Sequence, residues 1–370
     1  MTETVKTPLR RRSPNEIIRD RLERARTAVL DEVINRTDED ENEIDLVKPF
    51  LVSSQLLGDY VTLDWPHYNS IRIVRWQISK YANDRSRRRP LNIMMHAEPG
   101  SGKSHLIKSL AASISHDAVS IDYNMAGLQS IEDLLQPLDS VRNVKVQDKL
   151  PILFLDEFDS NASHYPLLLP LMWDGELNIA HRNLKLGKLV IILAGSGDAI
   201  NRSISVAKGM QAIETFADGK LVDLVSRING GELEIPPLDL VADGRDRRAD
   251  KVCLTISLLK SRFGGDLELV PVSLLRFVAT TKFRYGVRSL AHLIDLIQPF
   301  ESNAENTTQL LSKQLTFPLN NVSSLRNSSL AYHVFSEDGP AAIVEHWKIA
   351  ASDKASVRIQ EKVAEEDVPF

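Results

Sequence analysis

The stretch Ala97-Glu98-Pro99-Gly100-Ser101-Gly102-Lys103-Ser104 lies between an apolar run, Leu91 to Met95, and a segment from His105 to Ile114 whose apolar residues recur at helical spacing. The order is strand, glycine loop, helix, which is the setting a phosphate-cradling loop requires. Gly100 and Gly102 let the backbone turn its N–H groups inward around a polyphosphate, and the helix behind adds its positive N-terminal end. Pro99, Ser101 and His105 belong to the same ligand-contacting stretch. Lys103 is placed to reach the outer phosphates, and the Ser104 hydroxyl is placed for Mg²⁺. The strict pattern opens with glycine. Ala97 stands there instead, a small change where the chain is leaving the strand. The competing reading, a glycine turn that happens to precede a lysine, is weakened by the strand before it and the amphipathic helix after it.

Working outward, Ala118 to Asp122 reads as a second strand, followed by a helix near Ile131 to Leu135. Pro151-Ile152-Leu153-Phe154-Leu155-Asp156-Glu157 is an almost uninterrupted apolar run ending in two carboxylates. A fully buried parallel strand has this composition, and its carboxyl end is where α/β folds place ligands. Asp156 is therefore assigned to the Mg²⁺ through water, and Glu157 to the attacking water as general base, with Asp159 the next candidate for that base. A further buried strand, Leu189 to Leu193, ends in Ala194-Gly195-Ser196-Gly197-Asp198, where Ser196, ahead of Asp198, is the candidate to sense the terminal phosphate or the water. A plain glycine turn leaving a strand competes with that assignment. After a helical stretch around Ser205 to Phe216, Arg227 stands at a helix end just before a last strand, Glu232 to Ile235. Strands alternating with helices at this spacing predict a parallel sheet covered on both faces.

The strand signal stops at Arg247, and Val252 to Phe263, Pro271 to Thr281 and Gly286 to Phe300 each show helical periodicity, so a small helical domain is expected. Within it Tyr285-Gly286-Val287-Arg288-Ser289 puts Arg288 in the first turn of a helix, able to fold back over a phosphate. Upstream, Asn15 to Asn35 and Tyr68 to Ala82 read as amphipathic helices expected to pack beside the loop. Residues 1 to about 15 read as a flexible arm, and Thr37 to Glu43 as an acidic loop. The cluster Arg85, Arg87, Arg88, Arg89 reads first as a solvated loop, with a phosphate or acidic neighbour as the alternative. Beyond Glu301 a Ser/Asn/Thr-rich link, a short helix around Ala341 to Ala350 and a polar, acidic tail are expected. The domains then divide as 1–67, a helical extension with its arm; 68–240, the α/β unit; 241–300, the helical lid; and 301–370, a partly flexible extension.

Composition sets the outer limits. With 370 residues, 43% hydrophobic and 26% charged, a sizeable core is available, and a net charge of −5 argues against coating nucleic acid over the whole surface. A lone cysteine, Cys253, excludes an internal disulfide framework and a cysteine-rich zinc site, and the nine histidines show no ligand spacing. No apolar run long enough for a membrane span or a secretion signal is present, so a cytoplasmic protein is expected.

The loop, the strand ending in Asp156-Glu157, the polar strand end at Ser196, Arg227 before the last strand and Gly286-Val287-Arg288 in a helical lid together resemble AAA+ ATPases over about residues 70 to 300. That resemblance implies a five-stranded parallel sheet of order 5-1-4-3-2 followed by the lid, ATP as ligand, ring or filament assembly, and nucleotide bound between subunits. It also implies that Ser196 is similar to the first sensor, Arg227 to an arginine finger acting on a neighbour, and Arg288 to the second sensor. Asp156-Glu157-Phe158-Asp159-Ser160, Trp173-Asp174-Gly175-Glu176, Asp223-Leu224-Val225-Ser226-Arg227 and Tyr285-Gly286-Val287-Arg288-Ser289 look more closely like a poorly characterised group of bacterial AAA+ ATPases, some of which carry a ryanodine-receptor-type domain. The leading expectation is an ATPase coupled to its own assembly and to remodelling of a protein partner. Two alternatives stay open: a nucleotide-gated assembly or sensor protein with slow turnover, and a nucleic-acid-loading or transposition-type ATPase suggested by the Arg85 to Arg89 cluster, for which no reader motif is found. For Arg227 the alternative is a plain ion pair with Asp223, four residues earlier.

Overall fold

An apolar strand without alternation has to be covered on both faces, and the central strands satisfy this requirement. The computed structural model describes residues 12–35, 43–44, 55–57, 60–114, 118–179, 181–196, 219–239, 246–263, 267–297, 300–302, 307–309, 319, 321–352 and 356–358. Its main sheet comprises β1 (Leu91–Ala97), β2 (Val119–Asn124), β3 (Pro151–Asp156), β4 (Val190–Gly195) and β5 (Glu232–Ile235). All pairings are parallel and the spatial order is β5-β1-β4-β3-β2, the expected 5-1-4-3-2. β4 is buried throughout, β1 apart from His96, and β3 apart from Asp156, whereas the edge strand β5 alternates exposed Glu232 and Glu234 with buried Leu233 and Ile235.

Two helices, α2 (Trp65–Asn83) and α3 (Lys103–Ala112), cover one face through Ile71, Val74, Ile78, Leu106 and Leu110. On the other face lie α4 (Leu135–Val146), α5 (Tyr165–Asp174) and α6 (Gly219–Val225), which contribute Leu138, Val141, Leu168, Leu171 and Leu224. A third core belongs to the lid helices α7 (Arg248–Phe263), α8 (Val272–Thr280) and α9 (Gly286–Asp295).

Two expectations are corrected here. The first helix, α1 (Pro14–Val29), opened by a Ser13/Glu16 capping box, buries Leu22 and Val29 in the lid core, away from the glycine loop. α2 alone of the two upstream helices lies on the sheet. Strands also return beyond Arg247: Leu267–Pro271 joins Glu43–Ile44, Ser356–Arg358, Thr307–Gln309 and Phe300–Ser302 in a second five-stranded sheet, and Lys282–Phe283 pairs antiparallel with Val334–Phe335. Each is two to five residues long, too short for a periodicity to mark it, and all but the adjoining pair Phe300–Ser302 and Thr307–Gln309 find their partners only far away in sequence. The later helices α10 (Val322–Arg326) and α11 (Pro340–Ala351) pack on the lid, where Trp347 meets Phe277 edge-on at 5.4 Å. Asp198, the stretch from Ser205 to Phe216 and most of both termini lie outside the described residues.

The start of β1 is fixed by a buried amide. Asn92, fully buried, donates from Nδ2 to the carbonyls of Met172 (2.8 Å) and Arg227 (2.9 Å), while its own N–H donates to Asn229 Oδ1 (2.8 Å). One side chain thereby joins β1 to the end of α5 and to the turn before β5. Asn92→Leu leaves two buried carbonyls unpaired and should lower the unfolding free energy by about 2–4 kcal/mol in urea titration. A loss below about 1 kcal/mol would show that the clamp is dispensable.

Candidate functional site

Parallel register brings three strand ends together. Met95 pairs with Ala194 and Leu155 with Leu193, so the loop after β1, Ser196 after β4 and Asp156-Glu157 at the end of β3 emerge on one edge of the sheet. Gly100 and Gly102 take φ of +79° and +88°, the left-handed region in which a Cβ is strained, and Gly102 directly precedes α3. At the head of that helix Lys103 is buried, with Nζ 2.9 Å from Asp156 Oδ1. The same carboxylate oxygen accepts the Glu157 N–H at 3.0 Å. Ser104 and His105 are exposed in the first turn of α3, and Ser196 is exposed just past β4.

Glu157 has φ +52° and ψ +37°, a left-handed conformation adopted by a residue with a full side chain. Such backbone costs energy and persists where the surroundings impose it. Here the constraint comes from the Asp156 side chain, which caps the Glu157 N–H as the chain leaves a buried strand.

The lid closes directly on the loop. Arg288, in the first turn of α9, donates its N–H to the Gly100 carbonyl at 3.3 Å, and a Cβ on Gly100 would stand 2.5 Å from the Tyr285 carbonyl oxygen. Glycine is thus required at position 100 both by its dihedral and by the lid. Its neighbour Tyr285 is fixed through its N–H to Ser289 Oγ (3.1 Å), which also meets His333 Nδ1 at 3.1 Å, so the C-terminal segment helps hold the turn.

A cavity of about 660 Å³ opens between loop and lid, within the range of small-molecule pockets. Besides Pro99, Ser101, Gly102 and His105, its walls include Tyr60, Leu254, Val287 and Phe335. Val287 lies within the Gly286-Val287-Arg288 motif read from sequence, whereas Tyr60, Leu254 and Phe335 come from three separate stretches that no motif marks. Tyr60 hydrogen-bonds His67 Nε2 at 2.7 Å, and burial pushes its phenol pKa up. A Mg²⁺ ion fits the oxygen donors at hand, the Ser104 hydroxyl and the Asp156 carboxylate. Among the described residues no group of three or more His, Cys, Asp or Glu is arranged to hold a metal by protein ligands alone. That suits an ion that keeps waters and shares its ligands with a substrate phosphate.

Arg227 lies elsewhere. Its Nη1 donates to the Leu169 carbonyl at 2.6 Å, its Nη2 is 3.4 Å from Asp223, and its own carbonyl is held by Asn92 near the start of β1. The ion pair with Asp223 is therefore present. About 16 Å of strand separates Asn92 from Ala97, so Arg227 does not reach the loop of its own chain.

Residues 93–195 match the profile of the ATPase family associated with various cellular activities (AAA). The fold is that of an AAA+ P-loop domain. Among solved structures, NtrX from Brucella abortus in complex with ATP is similar at 17% identity and a TM-score of 0.40, over 62% of this chain and 50% of that one. NtrX in complex with ADP gives 16% and 0.43, over 70% and 56%. The Hsp104-ADP complex from S. cerevisiae gives 16% and 0.44, over 66% and 45%. The chain spans about half the length of each. No curated protein matches the sequence, and no described helix is long and apolar enough to cross a membrane.

The strained backbone at Glu157 makes a test of its own. Glu157→Gly should leave the unfolding free energy unchanged or raise it by up to about 1 kcal/mol, since relief of a left-handed Cβ offsets the added chain entropy. A clear loss in thermal or urea unfolding would mean that the glutamate side chain supports the fold.

Proposed function

We propose that this AAA+ domain binds ATP with Mg²⁺ between loop and lid and hydrolyses it, working as a homo-oligomer, ring or filament, that changes the conformation of a protein partner. The observation that carries this reading is the meeting of Lys103, at the head of α3, with Asp156 and Glu157, at the end of β3, under a lid that touches the loop. Backbone N–H groups from Gly100 to Ser104 cradle the phosphates, and Lys103 leaves Asp156 for the outer ones. Ser104 and Asp156 hold the Mg²⁺, which neutralises charge on the β- and γ-phosphates when bound. Glu157 takes the proton of the attacking water, Ser196 orients that water or the γ-phosphate, and Arg288 folds from the lid onto the phosphates. Because Arg227 cannot meet its own loop, its catalytic role is to act on the nucleotide of a second copy.

Lys103→Ala should abolish tight ATP binding in calorimetry, whereas Glu157→Gln should bind normally and turn over at least about 10²-fold more slowly. Unchanged affinity in the first variant would remove the phosphate-loop assignment. Normal hydrolysis in the second would move the base, with Asp159 next.

Arg227→Ala should keep ATP affinity and lose turnover by about 10³-fold, the lower end for an arginine supplied across an interface. Mixed with Lys103→Ala subunits it should regain activity, since one subunit still binds ATP and the other still offers its arginine. Near-normal turnover of Arg227→Ala alone would leave the Asp223 ion pair as the residue's whole role.

A further inference from the structure

Trp173, at the end of α5, is nearly half exposed, and two guanidinium groups share its indole: Arg89 lies 4.4 Å and Arg227 5.8 Å from the ring centroid. Among the described residues Arg89 makes no ion pair and its guanidinium no hydrogen bond; the indole is its one partner. Two cations on one ring repel each other, and Asp223, 3.4 Å from Arg227, offsets part of that repulsion. The arrangement is nevertheless built into rigid elements. Asn92 Nδ2 holds the carbonyls of Met172, the residue before Trp173, and of Arg227, and the Arg89 carbonyl accepts from the buried Tyr81 hydroxyl at 2.9 Å.

We infer that Arg89, Trp173 and Arg227 form one anion-reading edge, whose ligand is the polyphosphate held in the loop of a second copy of this chain. Trp173 is the positioning residue: its ring holds the exposed Arg89 guanidinium, as a second cation, beside that of Arg227, which is anchored by the Leu169 carbonyl and Asp223. This rests on the trans role proposed above for Arg227. Charge complementarity selects the occupant. The loop edge carries Glu98, Asp156, Glu157 and Asp159 against Lys103 and Arg288, and a nucleotide adds further negative charge, whereas the edge at the other end of β1 carries Arg85, Arg87, Arg88, Arg89 and Arg227 against Asp84, Asp174 and Asp223. Complementary surfaces at different places on one molecule associate head to tail, which generates rings or filaments.

The test uses the full chain with Mg²⁺-ATP. Arg89→Ala and Trp173→Ala should each keep ATP affinity within about twofold in calorimetry and lose turnover by at least about tenfold. Trp173→Phe, which keeps a ring face, should recover most of the turnover. Addition of Lys103→Ala subunits, whose edge is intact, should restore activity to both alanine variants. Unchanged turnover in both alanine variants overturns the inference, as does loss of single-stranded oligonucleotide binding with turnover intact, which would make the edge a nucleic-acid surface. If Arg227→Ala itself proves fully active, the trans reading fails separately. In that case ATP-dependent self-association in sedimentation decides: Arg89→Ala and Trp173→Ala must still weaken it, and unchanged association overturns the shared edge.

Discussion

Leu193 of β4 pairs with Met94 of β1 on one side and Leu155 of β3 on the other, and this shared register places every group at the loop edge. Side chains alternate between faces along a strand, so a slip of one residue in β3 would exchange Leu155 and Asp156 and bury a carboxylate among apolar side chains. The register is protected because β4 is buried along its whole length and β1 and β3 nearly so, and a slip would move their apolar side chains as well. The site is exact to the extent that the core under it is packed. Lys103 and Asp156 meet at 2.9 Å because α3 and β3 are each held by that core.

What could be read in the sequence follows from the same physics. The three central strands are short apolar runs bounded by turn residues, and the glycine loop and acidic strand end are contiguous in the chain. That these strands are buried in a parallel sheet follows from local composition, and the chemistry from residues a few places apart, whereas their order is what the resemblance to AAA+ ATPases implies. The hairpin Glu176–Lys185 gave no such signal, because Asn178, Asn183 and Lys185 interrupt its apolar pattern. Strands formed by pairs such as Glu43 with Ser356 or Lys282 with Phe335 depend on partners that no window contains. Periodicity shows that α1 has an apolar face but not what covers it, and the lid core that buries Leu22 and Val29 is assembled largely from residues between Ala249 and Ala350, far along the chain. The cavity walls Tyr60, Leu254, Val287 and Phe335 are adjacent only after folding.

Without an anion in the loop, the buried Lys103 ammonium and the Asp156 carboxylate satisfy each other. Removing either partner from such a pair leaves an uncompensated buried charge, so a ligand that takes Lys103 has to bring something for Asp156 as well. A polyphosphate accompanied by a divalent cation supplies both charges at once, and neither alone does. The pair is therefore matched in charge to the combination proposed above, a polyphosphate that arrives with a divalent cation.

The two edges of the molecule are joined by β1, with Asn92 holding the arginine end and Ala97 leading into the loop. It is tempting to treat the strand as a wire between neighbouring sites. Energetic coupling needs an element with two arrangements of similar energy. β1 has hydrogen-bonded partners on both sides and apolar cover on both faces, and its ends cannot shift independently without breaking a ladder or a core. The lid is different. It meets the loop through the Arg288 N–H on the Gly100 carbonyl and through Gly286 and Val287, and it meets the start of α2 through Asp250, which accepts the Leu63 N–H at 2.8 Å, and through Trp65 and Tyr68 packed on the lid core. The rigid sheet therefore fixes the separation between the loop and the arginine edge, and the lid is the part of the site that does not belong to that ladder.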